Sequence, residues 1–75
     1  TLEYHLFRDS FVDISVYDML GNEIKSLVHK NQISGSKSVQ WNATNSQGEP
    51  VSAGVYLYNI QANSFSQTKK MILIK

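Results

Sequence analysis

His5 and His29 are the side chains of this sequence best suited to acid–base or metal chemistry. Glu3 and His5 are two residues apart, so on a strand they would share one face and could in principle bridge a metal ion. A protein metal site needs further ligands, and no third candidate lies near this pair in the sequence. We therefore interpret Glu3 and His5 as part of a solvated polar face.

Other residue patterns that could carry catalysis are incomplete. The chain has no cysteine, and a serine nucleophile needs a base held beside it. The segment 35–38, Gly-Ser-Lys-Ser, lacks the second glycine of a nucleophile elbow. The glycines stand alone with no helical pattern after them, so a phosphate-binding loop is not indicated. We expect no enzyme activity, no catalytic or metal-binding residues and no cofactor.

The segment 42–50 has polar residues at the spacing of a calcium-binding loop. Asn42, Thr44, Ser46 and Gly48 alternate along it, but Glu49 is its only carboxylate. Calcium prefers several carboxylate and carbonyl ligands, so the segment is better explained as a surface loop rich in turn formers.

Positive charge is concentrated near the end of the chain, at Lys69, Lys70 and Lys75. Lysines on an exposed strand discourage pairing with another chain. The same side chains could instead form a recognition patch, and the sequence leaves both interpretations open.

The elements that must position these residues are predicted to be strands. Val12, Ile14 and Val16 alternate with polar residues and give the clearest half-buried strand. The segment 54–62 is rich in β-branched and aromatic residues on both faces, as in a central strand. Together with turn signals about every ten residues, these patterns predict a small antiparallel β-sandwich.

Four further strands complete the prediction. They lie at 2–7, at 37–42 with Trp41 facing inward, at 65–74, and within 23–29, where the pattern is mixed and fits either a short edge strand or an irregular turn. Residues 18–21 predict a tight reversal, and residues 63–64 predict a hairpin turn.

Composition sets the class of protein. The chain of 75 residues has a formal charge of +1, 41% apolar residues and 17% charged residues, which is too apolar for a disordered tail. The near-neutral charge argues against binding a nucleic acid, and no apolar run is long enough to span a bilayer. We expect one domain over residues 1–75, taken from a longer protein.

Four segments of the chain, 16–24, 39–42, 48–58 and 68–75, follow one another in a characteristic order and spacing. Together they resemble the type A C-terminal sorting domain of the type IX secretion system. The resemblance implies an immunoglobulin-like antiparallel β-sandwich of about six to seven strands. It also implies a non-catalytic C-terminal signal that directs a covalently linked N-terminal cargo domain through the outer membrane.

The resemblance further implies partners, a location and recognition residues. The partner would be the type IX secretion machinery of the outer membrane, with no nucleic acid and no small-molecule substrate. The protein would pass through the periplasm and end at the cell surface or in the extracellular space. The residues implied in recognition are Gly54, Val55, Tyr56, Lys69, Lys70, Met71 and Lys75.

A second interpretation is an immunoglobulin-like accessory or adhesive module of a cell-surface or extracellular protein. Such modules, similar to those of flagellar hook-capping proteins, bind a neighbouring protein or a glycan. A remoter alternative is a small enzyme that uses His5 or His29.

Overall fold

Six strands make up most of the described chain, which in this computed structural model comprises residues 2–63 and 65–74. The predicted all-β class is therefore confirmed. Within the same residues, no helix is long and apolar enough to span a bilayer. The strands are β1 (Leu2–Leu6), β2 (Ser10–Tyr17), β3 (Glu23–Gln32), β4 (Gly35–Val39), β5 (Gly54–Ala62) and β6 (Phe65–Leu73).

The strands form two sheets of unequal width. β1 pairs with β4 in a two-stranded sheet, and the other four strands form a second sheet in the order β3-β2-β5-β6. All of the pairings are antiparallel. Two strands therefore face four, and they cannot cover the whole inner face of the wider sheet.

The core lies between the two sheets and is built from alternating apolar residues. Val12, Ile14 and Val16 on β2 are completely buried, as the predicted alternation requires. In the paired strand β5, Ile60 lies opposite Ile14 and Ala62 lies opposite Val12. The buried core cluster consists of Leu2, Leu6, Val12, Ile14, Val28, Ile60 and Ala62.

Strand β3 explains the mixed pattern of the segment 23–29. Ile14 pairs with Val28, but the next residue of β2, Ser15, pairs with Ser26, so Leu27 is an extra residue. A second register shift further along leaves Ile24 unpaired in the same way. Such bulges interrupt the alternation of side chains, so the three apolar residues of this strand do not follow a period of two.

Several predicted strand boundaries were wrong: β1 ends at Leu6, one residue earlier than predicted, and β3 extends to Gln32. β4 covers Gly35–Val39 instead of 37–42, and Trp41 lies in the loop that follows it. Trp41 is half-buried because its ring packs against β5, not because it belongs to a strand. β6 ends at Leu73, one residue earlier than predicted. The predicted hairpin turn at 63–64 includes Ser64, which lies outside the described residues.

The reversal between β2 and β3 is a turn organised by Asp18. The Asp18 carboxylate accepts hydrogen bonds from the backbone N–H groups of Leu20 and Asn22, both at 2.9 Å. Its backbone carbonyl accepts from Gly21 at 3.1 Å, and its own N–H donates to the carbonyl of Asn22 at 3.0 Å. The predicted tight reversal is confirmed.

Residues 45–49 form a second turn with the same set of bonds. The side-chain carbonyl of Asn45 accepts from the N–H groups of Gln47 and Glu49 at 3.0 Å each. The Asn45 backbone carbonyl accepts from Gly48, and its N–H donates to Glu49. Asn45 therefore has the role that Asp18 has in the first turn. Ser46 attaches this turn to β3 by donating its N–H and its hydroxyl to the carbonyl of Ile24.

Candidate interaction surface

The residues considered for chemistry do not form a common site. His5 points outward from the two-stranded sheet, and His29 points outward from the four-stranded sheet, so the sandwich separates them. His5 Nδ1 lies 3.4 Å from the hydroxyl oxygen of Ser36, and its ring packs edge-on against Phe7. Among the described residues, no group of three His, Asp or Glu side chains could hold a metal ion.

The polar side chains of the loop 42–50 bond mainly to one another. The Thr44 hydroxyl donates to Asn42 Oδ1 at 2.6 Å, and the side chain of Asn45 donates to the Glu49 carboxylate at 3.3 Å. These oxygens serve the conformation of the loop and do not converge on a cation.

The structure brings the two predicted recognition segments together. They lie on the neighbouring strands β5 and β6, where Tyr56 pairs with Met71 and Leu57 pairs with Lys70. In this register Lys69 lies opposite Tyr58. Lys75 lies outside the described residues.

Pairing does not place these residues on one surface, because successive side chains of a strand point to opposite faces. Tyr56, Lys69 and Met71 belong to the inner face, on the same side as the core. Val55 and Lys70 belong to the outer face. The two adjacent lysines therefore serve different surfaces.

Tyr56 and Gly54 have structural roles. Tyr56 is only 8% exposed, and its hydroxyl donates to the carbonyl of Ser52 at 2.6 Å. Its ring contacts Trp41 edge to face, with the ring centroids 5.2 Å apart. Gly54 has φ = 150°, a conformation that residues with a side chain rarely adopt. Both residues shape the entry to β5 instead of facing a partner.

The inner face of β6 is uncovered. Phe65, Gln67 and Lys69 pair with core-facing residues of β5, which places them on the inner face, yet all three are exposed. Phe65 is 54% exposed. Met71, on the same face, is partly buried against the core. The cause is the unequal width of the sheets.

The position of the smaller sheet explains which side stays open. The Tyr4 hydroxyl on β1 donates to Gln32 Oε1 on β3 at 2.6 Å, which ties the smaller sheet to β3. Burial raises the pKa of Tyr4 above its ordinary value. β6, at the opposite side of the larger sheet, is left without a covering strand.

A cleft lies at one end of the open side, and β1 has a free strand edge. Among the described residues, β1 pairs with β4 only, so its second edge has unpaired backbone groups. A cleft of about 290 Å³ lies between the end of β1 and the β5–β6 turn. Its lining includes Leu6, Phe7, Ala62 and Phe65. The ion pair recorded within the described residues joins His29 and Asp13, so Lys69 faces this side without a carboxylate partner.

This surface includes Lys69 and Met71, two of the predicted recognition residues, whose role in recognition stays a prediction. Phe65, Gln67 and the free edge of β1 were not among the predicted residues. The missing information is the width of the smaller sheet. The alternation within β6 shows which residues share a face, but not whether another strand covers them.

Comparison with known proteins identifies the family. The model of the FlgD Ig-like domain family matches residues 2–66, which are 65 of the 75 residues. The match covers five strands and the start of β6, and it excludes Lys69 and Lys70. No curated protein and no solved structure matches the chain.

This match corrects the resemblance to a type IX sorting domain. The segments that suggested that resemblance contain the Asp18 turn, the Trp41–Tyr56 contact and the entry to β5. These features stabilise an immunoglobulin-like sandwich and carry no information on secretion. The predicted secretion partners, the cell-surface location and the place in a longer protein are not tested by the match and stay predictions. The chain belongs to the FlgD Ig-like domain family.

Proposed function

We propose that the chain is a non-catalytic, immunoglobulin-like accessory module that binds an extended segment of a partner protein between β1 and β6, one with an acidic residue among apolar ones. The observation that carries the proposal is the exposed inner face of β6, where core-facing side chains have no covering strand. The family supports a role in assembly, since the FlgD name is associated with flagellar hook assembly.

Binding would start from the backbone of β1. An incoming strand paired with the free edge of β1 gains main-chain hydrogen bonds, as in other cases of strand addition to a sheet. It widens the smaller sheet from two strands to three. Its inward side chains then lie over β6, and apolar surface of Phe65 and Met71 is removed from water.

The side chains of β6 define the chemistry of the bound segment. Lys69 lies between the apolar ends of the surface and has a positive charge that no described carboxylate neutralises. A segment with an acidic residue opposite Lys69, and with apolar residues opposite Phe65 and Met71, is complementary to it. An ion pair at this partly covered position sets the register of the segment more than its affinity.

The proposal can be tested by NMR titration with a short synthetic peptide. In this peptide valine alternates with threonine, and glutamate replaces one central valine so that it lies on the same face as the other valines. We expect chemical-shift changes in the amides of β1 and in the side chains of Phe65 and Met71. Lys69→Glu should weaken binding about tenfold, because an attractive contact becomes repulsive.

Two controls separate this binding mode from others. Lys70→Glu makes the same change of charge on the opposite face of β6 and should leave peptide affinity unchanged. A matched peptide with lysine in place of glutamate should bind more weakly. Shifts confined to β3, or no shifts at millimolar peptide, would contradict the proposal. Concentration-dependent shifts in β1 without any peptide would show that a second copy occupies the surface.

A further inference from the structure

The outer face of the four-stranded sheet has an ordered row of charged and apolar residues. Tyr17 on β2 pairs with Glu23 on one side and with Leu57 on the other. Leu57 in turn pairs with Lys70 on β6. The row across the sheet is therefore acidic, aromatic, aliphatic and basic, with the two charges at its ends.

Exposed apolar side chains extend this row toward one end of the sheet. Val55 pairs with Ile72, which is 69% exposed. The turn that follows Tyr17 presents Met19 and Leu20, which are 61% and 88% exposed. The hydrogen bonds of Asp18 hold this turn in one conformation. Contiguous exposed apolar residues of this kind mark an interaction surface more often than isolated ones do.

We infer that two copies of this chain associate through this face, about a two-fold axis that runs parallel to the strands between β2 and β5. Two sheets packed face to face lie about 10 Å apart. The rotation places Glu23 of each copy over Lys70 of the other and Tyr17 over Leu57. It also places Ile72 of each copy toward the Met19–Leu20 turn of the other.

The charge pattern selects this axis. A two-fold axis perpendicular to the strands and in the plane of the interface would place Glu23 over Glu23 and Lys70 over Lys70, which is repulsive. Only the parallel axis makes the row complementary to itself, and a face complementary to itself fits a second copy better than an unrelated protein.

The rest of the outer face is compatible with the same axis. Asp13 pairs with Gln61, so the rotation places a carboxylate over an amide. Ser15, opposite Asn59, is buried within its own copy. Asp13 keeps its contact with His29 of its own copy, at 3.6 Å. No like charges of these rows are brought together.

Charge reversal and its rescue test the inference by sedimentation equilibrium up to millimolar protein. Lys70→Glu places two repulsive contacts in each dimer and should raise the dimer dissociation constant about tenfold. Glu23→Lys should have a similar effect. The double variant E23K/K70E exchanges the two charges and should restore the dissociation constant to within about twofold of the original.

Lys69→Glu is the matched control, because it changes the same charge on the opposite face of the same strand. It should leave the dimer dissociation constant unchanged while it weakens binding of the glutamate-containing peptide to the inner face of β6. The two proposals can therefore fail separately. A monomer at the highest concentration would overturn the inference. A dissociation constant that neither single charge reversal changes would also overturn it. So would a double variant whose dissociation constant stays as high as that of the single variants. Circular dichroism confirms that each variant is folded.

Discussion

The indole ring of Trp41 meets the ring of Tyr56 edge to face, with an interplanar angle of 69°. Trp41 Nε1 donates to the Thr44 carbonyl at 2.9 Å, and the Tyr56 hydroxyl donates to the Ser52 carbonyl at 2.6 Å. The contact therefore connects both ends of the long loop between β4 and β5. It adds an attachment to β5 beside the one that Ser46 makes to β3.

Trp41→Ala should lower the free energy of unfolding by about 2–3 kcal/mol, less than for a fully buried tryptophan because the ring is half-buried. Trp41→Phe keeps a ring against Tyr56 and loses the hydrogen bond to Thr44, so it should cost about 1 kcal/mol. Urea unfolding measures both values. A loss below about 1 kcal/mol for the alanine variant would mean that the contact does not stabilise the fold.

Ile14 is completely buried at the centre of β2, so truncation leaves a cavity. Ile14→Ala should cost about 3–5 kcal/mol, which is close to the whole stability expected for a small domain. Ile14→Val should cost about 1 kcal/mol and give a folded variant whose thermal unfolding can be measured. Ile33→Ala, at a side chain that is 70% exposed, is the control and should change stability little.

Asp18 should make the fold sensitive to acid. The backbone N–H of Asn22, followed by further hydrogen bonds within the turn, holds the pKa of this carboxyl below its ordinary value of 3.8. The folded state thus favours the ionised form. Its contribution to stability is fully present above the ordinary pKa and is lost as the pH falls through the lower, folded-state pKa.

Asp18→Asn removes this titration and keeps an oxygen that can accept the turn's hydrogen bonds. Unfolding measured between neutral and strongly acidic pH should show a smaller acid-induced loss of stability in the variant than in the original chain. Equal losses in both proteins would show that the turn does not prefer the carboxylate.

Gly21 and Gly48 occupy the same position of the two similar turns, with φ values of 89° and 80°. An added Cβ would meet no atom within 4 Å at either position, so alanine acts through the backbone alone. Gly21→Ala and Gly48→Ala should each cost about 1–2 kcal/mol. Asparagine tolerates positive φ better and should cost less at both positions. Thermal unfolding of the four variants checks the pattern.

Tyr4 should contribute to alkaline unfolding. Burial raises its pKa above the ordinary value of 10.0, so the folded state favours the neutral phenol. The resulting stabilisation is complete below that ordinary pKa and is lost as the pH rises through the folded-state pKa. Tyr4→Phe removes this loss, so the stability difference between the two proteins should shrink at high pH. A difference independent of pH would contradict the assignment.

The sequence predicts most of the fold where alternation is regular. β2 alternates with a period of two and was predicted as a half-buried strand. β5 is apolar on both faces and was predicted as a central strand, which its place between β2 and β6 confirms. β3 could not, because its two bulges shift Ile24 and Leu27 out of register. Trp41 was assigned to a strand because Val39 and Trp41 alternate with polar residues, a pattern that is typical of a strand. The strand in fact ends at Val39.

The interaction surface was less predictable than the fold. Adjacent residues of β6, Lys69 and Lys70, were expected to act together, but the strand directs them to opposite faces. Whether each lysine is covered or exposed depends on which strands of the smaller sheet lie over β6. That arrangement is a property of the whole sandwich and cannot be predicted from β6 alone. The sequence resemblance was misleading because turn residues such as Asp18 and Gly54 report backbone shape, which proteins of different function can share.

The two similar turns separate conformation from surface chemistry. In each turn, the first residue accepts the hydrogen bonds that close the loop, the fourth is a glycine with positive φ, and the fifth bonds back to the first. The side chains of the second and third residues take no part in closing the loop. One turn uses Met19 and Leu20 at those middle sites, and the other uses Ser46 and Gln47. The same local scaffold can thus carry apolar or polar tips. Because the Ser46 hydroxyl also holds its turn to β3, the third residue of each turn, Leu20 or Gln47, is the position where the domain can vary without a change of fold.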